Sequence, residues 1–174
     1  MVGFWRDELI GESGSVKIYK QEDKLFLEID SALWALESEL KDYKEDMANY
    51  PKGDCLEIGL GLGIASKHIL SFPEVKTLTT VEINSDVIIA QKMANYIEDK
   101  RHTIINEDGF KYVQNTDKKF DFIFLDFYQL VPDLFSIVSE MIKECSRVLK
   151  PYGKIAGWIN SNNPIRKEFA DLFI

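Results

Sequence analysis

Asp54-Cys55-Leu56-Glu57-Ile58-Gly59-Leu60-Gly61-Leu62-Gly63 decides how this chain is read: an apolar strand runs straight into a loop with glycine at every second position. Glycine has no Cβ and tolerates positive φ, so a ligand can approach such a backbone closely. Ile64 to Phe72 then supplies a helix whose first free N–H groups face that ligand, which suits an adenosine-bearing molecule. Standing alone, the same turn serves any tight strand-to-helix connection, so its meaning depends on what surrounds it.

Outward from the loop, short apolar segments alternate with helical ones. Strands are expected at Cys55 to Ile58, Leu78 to Val81, Thr103 to Ile105, Phe120 to Leu125 and Lys154 to Ile159. Strands that alternate with helices imply a parallel sheet covered on both faces. The clearest helix follows the fourth strand, where an apolar stripe from Leu134 to Leu149 ends at Lys150-Pro151-Tyr152-Gly153. A last helix is expected from near Pro164. The fold class is therefore α/β: a Rossmann-like, doubly wound, mostly parallel sheet, in the strand order 3-2-1-4-5.

The first 50 residues read differently. Apolar residues alternate on either side of Gln21-Glu22-Asp23-Lys24 between Val16 and Ile29, which predicts a β-hairpin. Leu33, Leu36, Leu40, Tyr43 and Met47 recur at helical spacing, which predicts a helix from Ser31 to Met47 with Asp30 or Ser31 as N-cap. Pro51 and Gly53 break the chain after it. The expected organisation is a hairpin-and-helix extension over 1–50, followed by the sheet domain over 51–174.

The chemistry-bearing residues cluster where the strands end. Val81-Glu82-Ile83-Asn84 places a carboxylate at the end of the second strand, about 20 residues past the glycines, where ribose hydroxyls need an acceptor. A dinucleotide site uses the same acid. Its G-x-G-x-x-G or A pattern fails here, however, because Ile64 and Ser66 occupy the positions in question. Glu57 suits a ligand carrying an ammonium and a sulfonium better than a pyrophosphate; its plainer role is a solvated strand-end carboxylate. Asp108-Gly109-Phe110 follows the third strand; Asp108 can accept from an adenine amine or simply cap a helix, and Phe110 or Ile83 can cover the ring. Asp126 ends the fourth strand, where ligands of open α/β sheets sit, and is the candidate general base or sulfonium partner.

Composition narrows the classes. The chain has 174 residues, 45% apolar and 29% charged, which is ordinary for one globular domain. Its net charge of −8 argues against nucleic acid as a general partner. No apolar stretch approaches the roughly 20 residues of a membrane helix, and the start lacks a signal-peptide pattern, so a soluble cytoplasmic protein is expected. Cys55 and Cys145 both sit in apolar runs, and neither histidine has ligand partners at metal spacing, so no disulfide and no metal site are expected.

The motif order resembles the class I S-adenosylmethionine-dependent methyltransferases: E-I-G-L-G-L-G, V-E-I-N, E-D-G-F, F-D-F-I-F-L-D-F-Y and R-V-L-K-P-Y-G-K, spanning about Asp54 to Asn160. That resemblance implies S-adenosylmethionine as cofactor. Gly59, Gly61 and Gly63 would line its methionine and ribose portion, Glu82 would hold the ribose, and Asp108-Gly109 would meet the adenine. Glu57 and Asp126 would flank the methionine end, and Phe127 and Tyr128 would grip a small-molecule acceptor.

Within that superfamily the chain also resembles the spermidine synthases, which place a β-hairpin before the fold and use decarboxylated S-adenosylmethionine. It departs from them at Leu62, where they carry an acid within the glycine loop, and at Phe127-Tyr128-Gln129, where they carry a second acid. The D/N-P-P-Y/F tetrad of many amino-methyltransferases is absent after Asp126. The usual antiparallel strand pair after the fifth strand is missing too, which leaves a sheet edge for the hairpin or a second copy of the chain to cover.

Three readings follow. The first is a methyltransferase-like transferase acting on a small acceptor. The second is an aminopropyltransferase in which Glu37, Glu39 or Asp42 meets ammonium groups, against a plainer role for those acids as a solvated helix face. The third is a nucleoside-binding module without catalysis.

Overall fold

The computed structural model describes residues 7–126 and 134–158. Four antiparallel strands come first: β1 (Glu8–Ser13), β2 (Val16–Gln21), β3 (Lys24–Ile29) and β4 (Ala32–Leu36), paired in sequence order. A 3-10 turn over Glu37–Glu39 leads into α1 (Leu40–Met47). The alternating part follows as β5 (Gly53–Ile58), α2 (Ile64–Leu70), β6 (Val75–Glu82), α3 (Ser85–Ala94), β7 (His102–Asn106), α4 (Gly109–Asn115), β8 (Phe120–Asp126), α5 (Leu134–Val148) and β9 (Leu149–Trp158).

The second sheet runs β7-β6-β5-β8-β9 with every neighbouring pair parallel, which is the 3-2-1-4-5 order expected from the sequence. Both of its faces are covered, and β8 displays this with a period of two. Phe122 and Phe124 face the core shared with α1 and the N-terminal sheet, whereas Ile123 and Leu125 face α4 and α5. Each fully buried side chain of this kind contributes roughly 1.5–3 kcal/mol.

The N-terminal region keeps the expected hairpin, as β2 and β3, and differs from expectation on either side of it. Ala32–Leu36 is a strand, and the helix starts only at Leu40. Asp30 and Ser31 do not cap a helix. At φ 52° and 63° they form the left-handed corner of a tight hairpin that brings Ile29 opposite Ala32. Residues of the cap type are also turn residues, and here cross-strand pairing decides between the two. Leu33 and Leu36 are consequently exposed, and only Tyr43 and Met47 of the expected helical stripe are buried. β1 was not foreseen at all.

Two smaller differences concern the other end. Helix α5 stops at Val148, and pairing to β8 already begins at Leu149, so Lys150 to Gly153 bulge out between Leu149 and Lys154. Lys150 Nζ donates to Asp54 and Asp121, 2.7 Å from each, and so ties together the starts of β5 and β8. The helix expected near Pro164 lies outside the described residues.

Glycine mediates the docking of the N-terminal sheet on the rest. At Gly11, where β1 slips register, a Cβ would collide with the Ala90 carbonyl of α3. Beside it Ser13 Oγ donates to Asp86 Oδ1 (2.6 Å), and Tyr96 OH donates to Glu37 Oε1 (2.7 Å). Val16, Ile18, Leu25 and Leu27 of the small sheet join Leu60, Leu62, Val87 and Ile88 in one apolar core. No helix among the described residues is long and apolar enough to cross a membrane.

Gly11→Val should therefore lower the urea midpoint and make the first 30 residues the earliest site of limited proteolysis. Unchanged cleavage kinetics would mean that α3 does not hold the sheet through this contact.

Candidate active site

The glycine loop is anchored by its leucines. Leu60 and Leu62 are buried in the core, while Gly59 and Gly61 line a cavity of about 550 Å³. Gly59 sits at φ 95°, with its would-be Cβ 2.5 Å from the Asp126 carbonyl, so no other residue fits where the ends of β5 and β8 meet. Gln91 Nε2 donates to the Gly61 carbonyl from α3 (3.1 Å), and the Leu60 N–H donates to Glu82 Oε2 (2.8 Å).

Glu82 shapes the loop as well as facing the cavity, since its other oxygen accepts from the Asn84 N–H (2.8 Å). Ile83 beside it is 69% exposed on the cavity rim. Asp108 caps α4 by accepting from the Phe110 and Lys111 N–H groups through one oxygen. It also lines the cavity with Gly109 and Phe110, so the same side chain caps the helix and faces the cavity.

Asp126 stands at the far wall. Tyr43 OH lies 3.1 Å from both of its carboxylate oxygens, and the Tyr43 ring stacks on Trp158 with centroids 5.2 Å apart and planes 4° from parallel. Burial pushes the Asp126 carboxyl up to about 7; the Tyr43 hydrogen bond opposes this, and the charges of Glu39 and Glu82 add to it. The Tyr43 hydroxyl is itself raised well above its ordinary range, by burial first and then by Asp126, so it stays a donor.

The structure separates the remaining expected residues. Glu57 does not line the cavity and is not a solvated carboxylate. It is fully buried beneath the loop, where Ser66 Oγ and Thr80 Oγ1 both donate to Oε2 and Oε1 has no partner among the described residues. The alternation of β5 turns it away from the ligand side, into the space between α2 and β6. Gly63 also falls short of the cavity; it begins α2 and packs against Ile97. Phe127 and Tyr128 lie outside the described residues.

Several lining residues were not singled out by sequence as site residues: Tyr43, Trp158, and Leu27, Ile29 and Trp34 from the N-terminal sheet. The only signal for Tyr43 was a hydroxyl on an otherwise apolar stripe. Of the three acids weighed for ammonium groups, Glu39 alone lines the cavity; Glu37 is bound to Tyr96 and the Leu25 N–H. Among the described residues no cluster of His, Cys, Asp and Glu is fit to hold a metal, and Cys55 and Cys145 are buried free thiols.

The profile of the spermine/spermidine synthase domain matches residues 41–165. The chain belongs to the spermine/spermidine synthase family. Its curated relatives include a polyamine aminopropyltransferase of Hydrogenobaculum, 34% identical over 51% of this chain and 36% of its own length. Another, from Thermoplasma volcanium, is 25% identical over 68% of this chain and 41% of its own length. The chain thus spans about two fifths of the relatives it matches. The spermidine synthase structure of Thermotoga maritima superposes with a TM-score of 0.70 at 21% identity, covering 95% of this chain and 61% of that one. A spermidine synthase bound to the transition-state analogue AdoDATO gives 0.68 at 21%, covering 95% and 60%. The spermidine-synthase resemblance is therefore the one that holds within the methyltransferase-like fold, and none of these relatives is a methyltransferase.

The buried Glu57 gives this member of the family a pH-dependent stability. Burial raises its carboxyl from 4.5 to about 8, against the lowering effect of Ser66 and Thr80. A raised folded-state value means that stability is fully present below about 4.5 and is lost as pH climbs toward 8, by about 1.4 kcal/mol per unit. Glu57→Gln should melt above the wild type at pH 8.5 and converge with it near pH 4.5. A difference in melting temperature that ignores pH would contradict this.

Proposed function

We propose that these residues form the substrate pocket of a polyamine aminopropyltransferase, which transfers the aminopropyl group of decarboxylated S-adenosylmethionine to an amine. One observation carries the reading: among the described residues the cavity is lined by four carboxylates, Glu39, Glu82, Asp108 and Asp126, and by no lysine, arginine or histidine. Uncompensated carboxylates in a partly dry cavity favour cationic ligands and penalise anionic ones. Decarboxylated S-adenosylmethionine carries a sulfonium and an ammonium but no carboxylate. Intact S-adenosylmethionine brings a carboxylate for which the described lining offers no counter-charge.

In this reading Glu82 accepts from the donor's ribose hydroxyls, Asp108 from its adenine amine, and Ile83 and Phe110 sandwich the ring. The glycines admit the donor against the backbone. The acceptor amine arrives as an ammonium, since alkyl amines titrate near 10. Asp126 takes its proton. The freed nitrogen lone pair then attacks the methylene on sulfur, the C–S bond breaks with its electrons on sulfur, and methylthioadenosine leaves as a neutral thioether. Tyr43 keeps the Asp126 carboxylate oriented through both oxygens. Alignment of nitrogen, carbon and sulfur supplies much of the remaining acceleration.

Methyl transfer from S-adenosylmethionine is the second reading, and Leu62 favours it. Where spermidine synthases carry an acid in the loop, this chain has a side chain buried in the core. A binding module without turnover is the third.

Calorimetric titration separates the three. Decarboxylated S-adenosylmethionine and methylthioadenosine should bind at least tenfold more tightly than S-adenosylmethionine and S-adenosylhomocysteine, and Glu82→Ala should abolish all binding. The reverse preference would return the methyl-transfer reading. Asp126→Asn should lower aminopropyl turnover by about 10²–10⁴ while donor affinity stays within threefold. The wild-type kcat/KM should rise as pH passes about 7, where Asp126 ionises. Turnover unaffected by the substitution would remove Asp126 as base.

A further inference from the structure

Beneath the glycine loop, three side chains form one hydrogen-bonded chain that leads from the core to water. Glu57 on β5 and Thr80 on β6 are both fully buried. Thr80 Oγ1 lies 2.5 Å from Glu57 Oε2 and 2.8 Å from Nε2 of His102, the first residue of β7. The His102 ring is half-buried, and its other nitrogen, Nδ1, is neither bonded among the described residues nor closed off from water. Thr80 has one hydrogen for two acceptors, so the direction of both bonds depends on where the carboxyl proton sits.

We propose that Glu57, Thr80 and His102 form a proton relay, which carries the proton of the buried carboxyl to water at His102 Nδ1 while the loop above stays closed. Counting donors and acceptors fixes its two states. With Glu57 neutral, a proton on Oε1 would have no acceptor, because that oxygen is buried and without a partner. On Oε2 the proton is donated to Thr80 Oγ1, Thr80 donates to His102 Nε2, and the imidazole hydrogen sits on Nδ1, so the two buried O–H groups are both satisfied. Ser66 Oγ donates to Oε2 throughout. Ionisation reverses the chain. Oε2 passes its proton to Thr80, Thr80 passes its own to Nε2, and Nδ1 releases its hydrogen to water. One proton leaves, the ring ends neutral, and the imidazole has changed tautomer.

The surrounding charges suit such a relay. Burial raises the Glu57 carboxyl to about 8, with the Ser66 and Thr80 hydroxyls opposing it and the charges of Asp126 on β8 and Glu82 on β6 adding to it. Tyr43 of α1 and Cys55 of β5, the other titratable groups that feel Glu57, are held neutral by burial. Burial likewise lowers His102 to about 4, against the charge of Asp99, so the ring is uncharged wherever Glu57 titrates. Because Asp126 raises Glu57, a cation bound at Asp126 would favour release of the Glu57 proton, and the relay gives that proton an exit outside the cavity. The inference does not depend on which transfer the cavity performs.

The test reads the His102 tautomer from the ring nitrogen and carbon NMR shifts of protein labelled in histidine, from about pH 6 to about pH 9.5, with His68→Gln assigning the signals. Wild type should pass from the Nδ1–H form to the Nε2–H form with a midpoint of about 8. Thr80→Ser, which keeps the hydroxyl, should retain the change. Thr80→Val and Glu57→Gln should each hold one tautomer over the whole range. A wild-type tautomer that never changes overturns the proposal, and that result is read on the unaltered protein. A change that persists in Thr80→Val overturns it too. Where Thr80→Val does not fold, Glu57→Gln decides in its place by the same criterion.

Discussion

Three carboxylates stand close together at the carboxyl ends of adjacent parallel strands, Glu57 on β5, Glu82 on β6 and Asp126 on β8, and the surrounding structure depends on how their charges are met. Glu82 and Asp126 both raise Glu57, and Glu82 also raises Asp126. Each is met by a different donor. Two side-chain hydroxyls serve Glu57, two backbone N–H groups serve Glu82, and the Tyr43 phenol serves Asp126. Because one of those N–H groups belongs to Leu60, the conformation of the glycine loop and the position of the Glu82 carboxylate are set by the same bond.

Such an arrangement costs stability, and functional sites are where proteins tolerate the cost. A cationic ligand would relieve the repulsion that the fold leaves at the cavity surface. Any affinity for positive charge would then come from carboxylates partly withdrawn from water. The buried Glu57 stands apart from this exchange: it is not among the cavity's lining residues, and among the described residues Ser66 and Thr80 donate to it.

The N-terminal sheet completes the pocket. The parallel sheet supplies the glycine loop and the strand-end acids, yet the apolar wall and Glu39 come from residues before Pro51. That wall is held at the right height by Gly11 against α3 and by the stack of Tyr43 on Trp158. A side chain on the first helix is thus oriented by the last described strand, from more than a hundred residues away.

The parallel sheet and the strand-end lining of the cavity were legible in the sequence, because both rest on local patterns: apolar runs of strand length, glycines followed by a helix, and acids at strand ends. Asp126, Glu82 and Asp108 could be named for the same reason, since in an open α/β sheet the strand end itself places a residue at the ligand. The hairpin about Gln21 to Lys24 was legible too and holds as β2 and β3, but the helix expected from Ser31 gives way to β4, because Asp30 and Ser31 suit a cap and a turn equally and the partner strand decides between them. Whether Glu57 faced ligand or core, and which of Glu37, Glu39 and Asp42 reached the cavity, was also undetermined. Those outcomes depend on which face of an element is packed against a neighbour distant in sequence, and only the tertiary structure decides that.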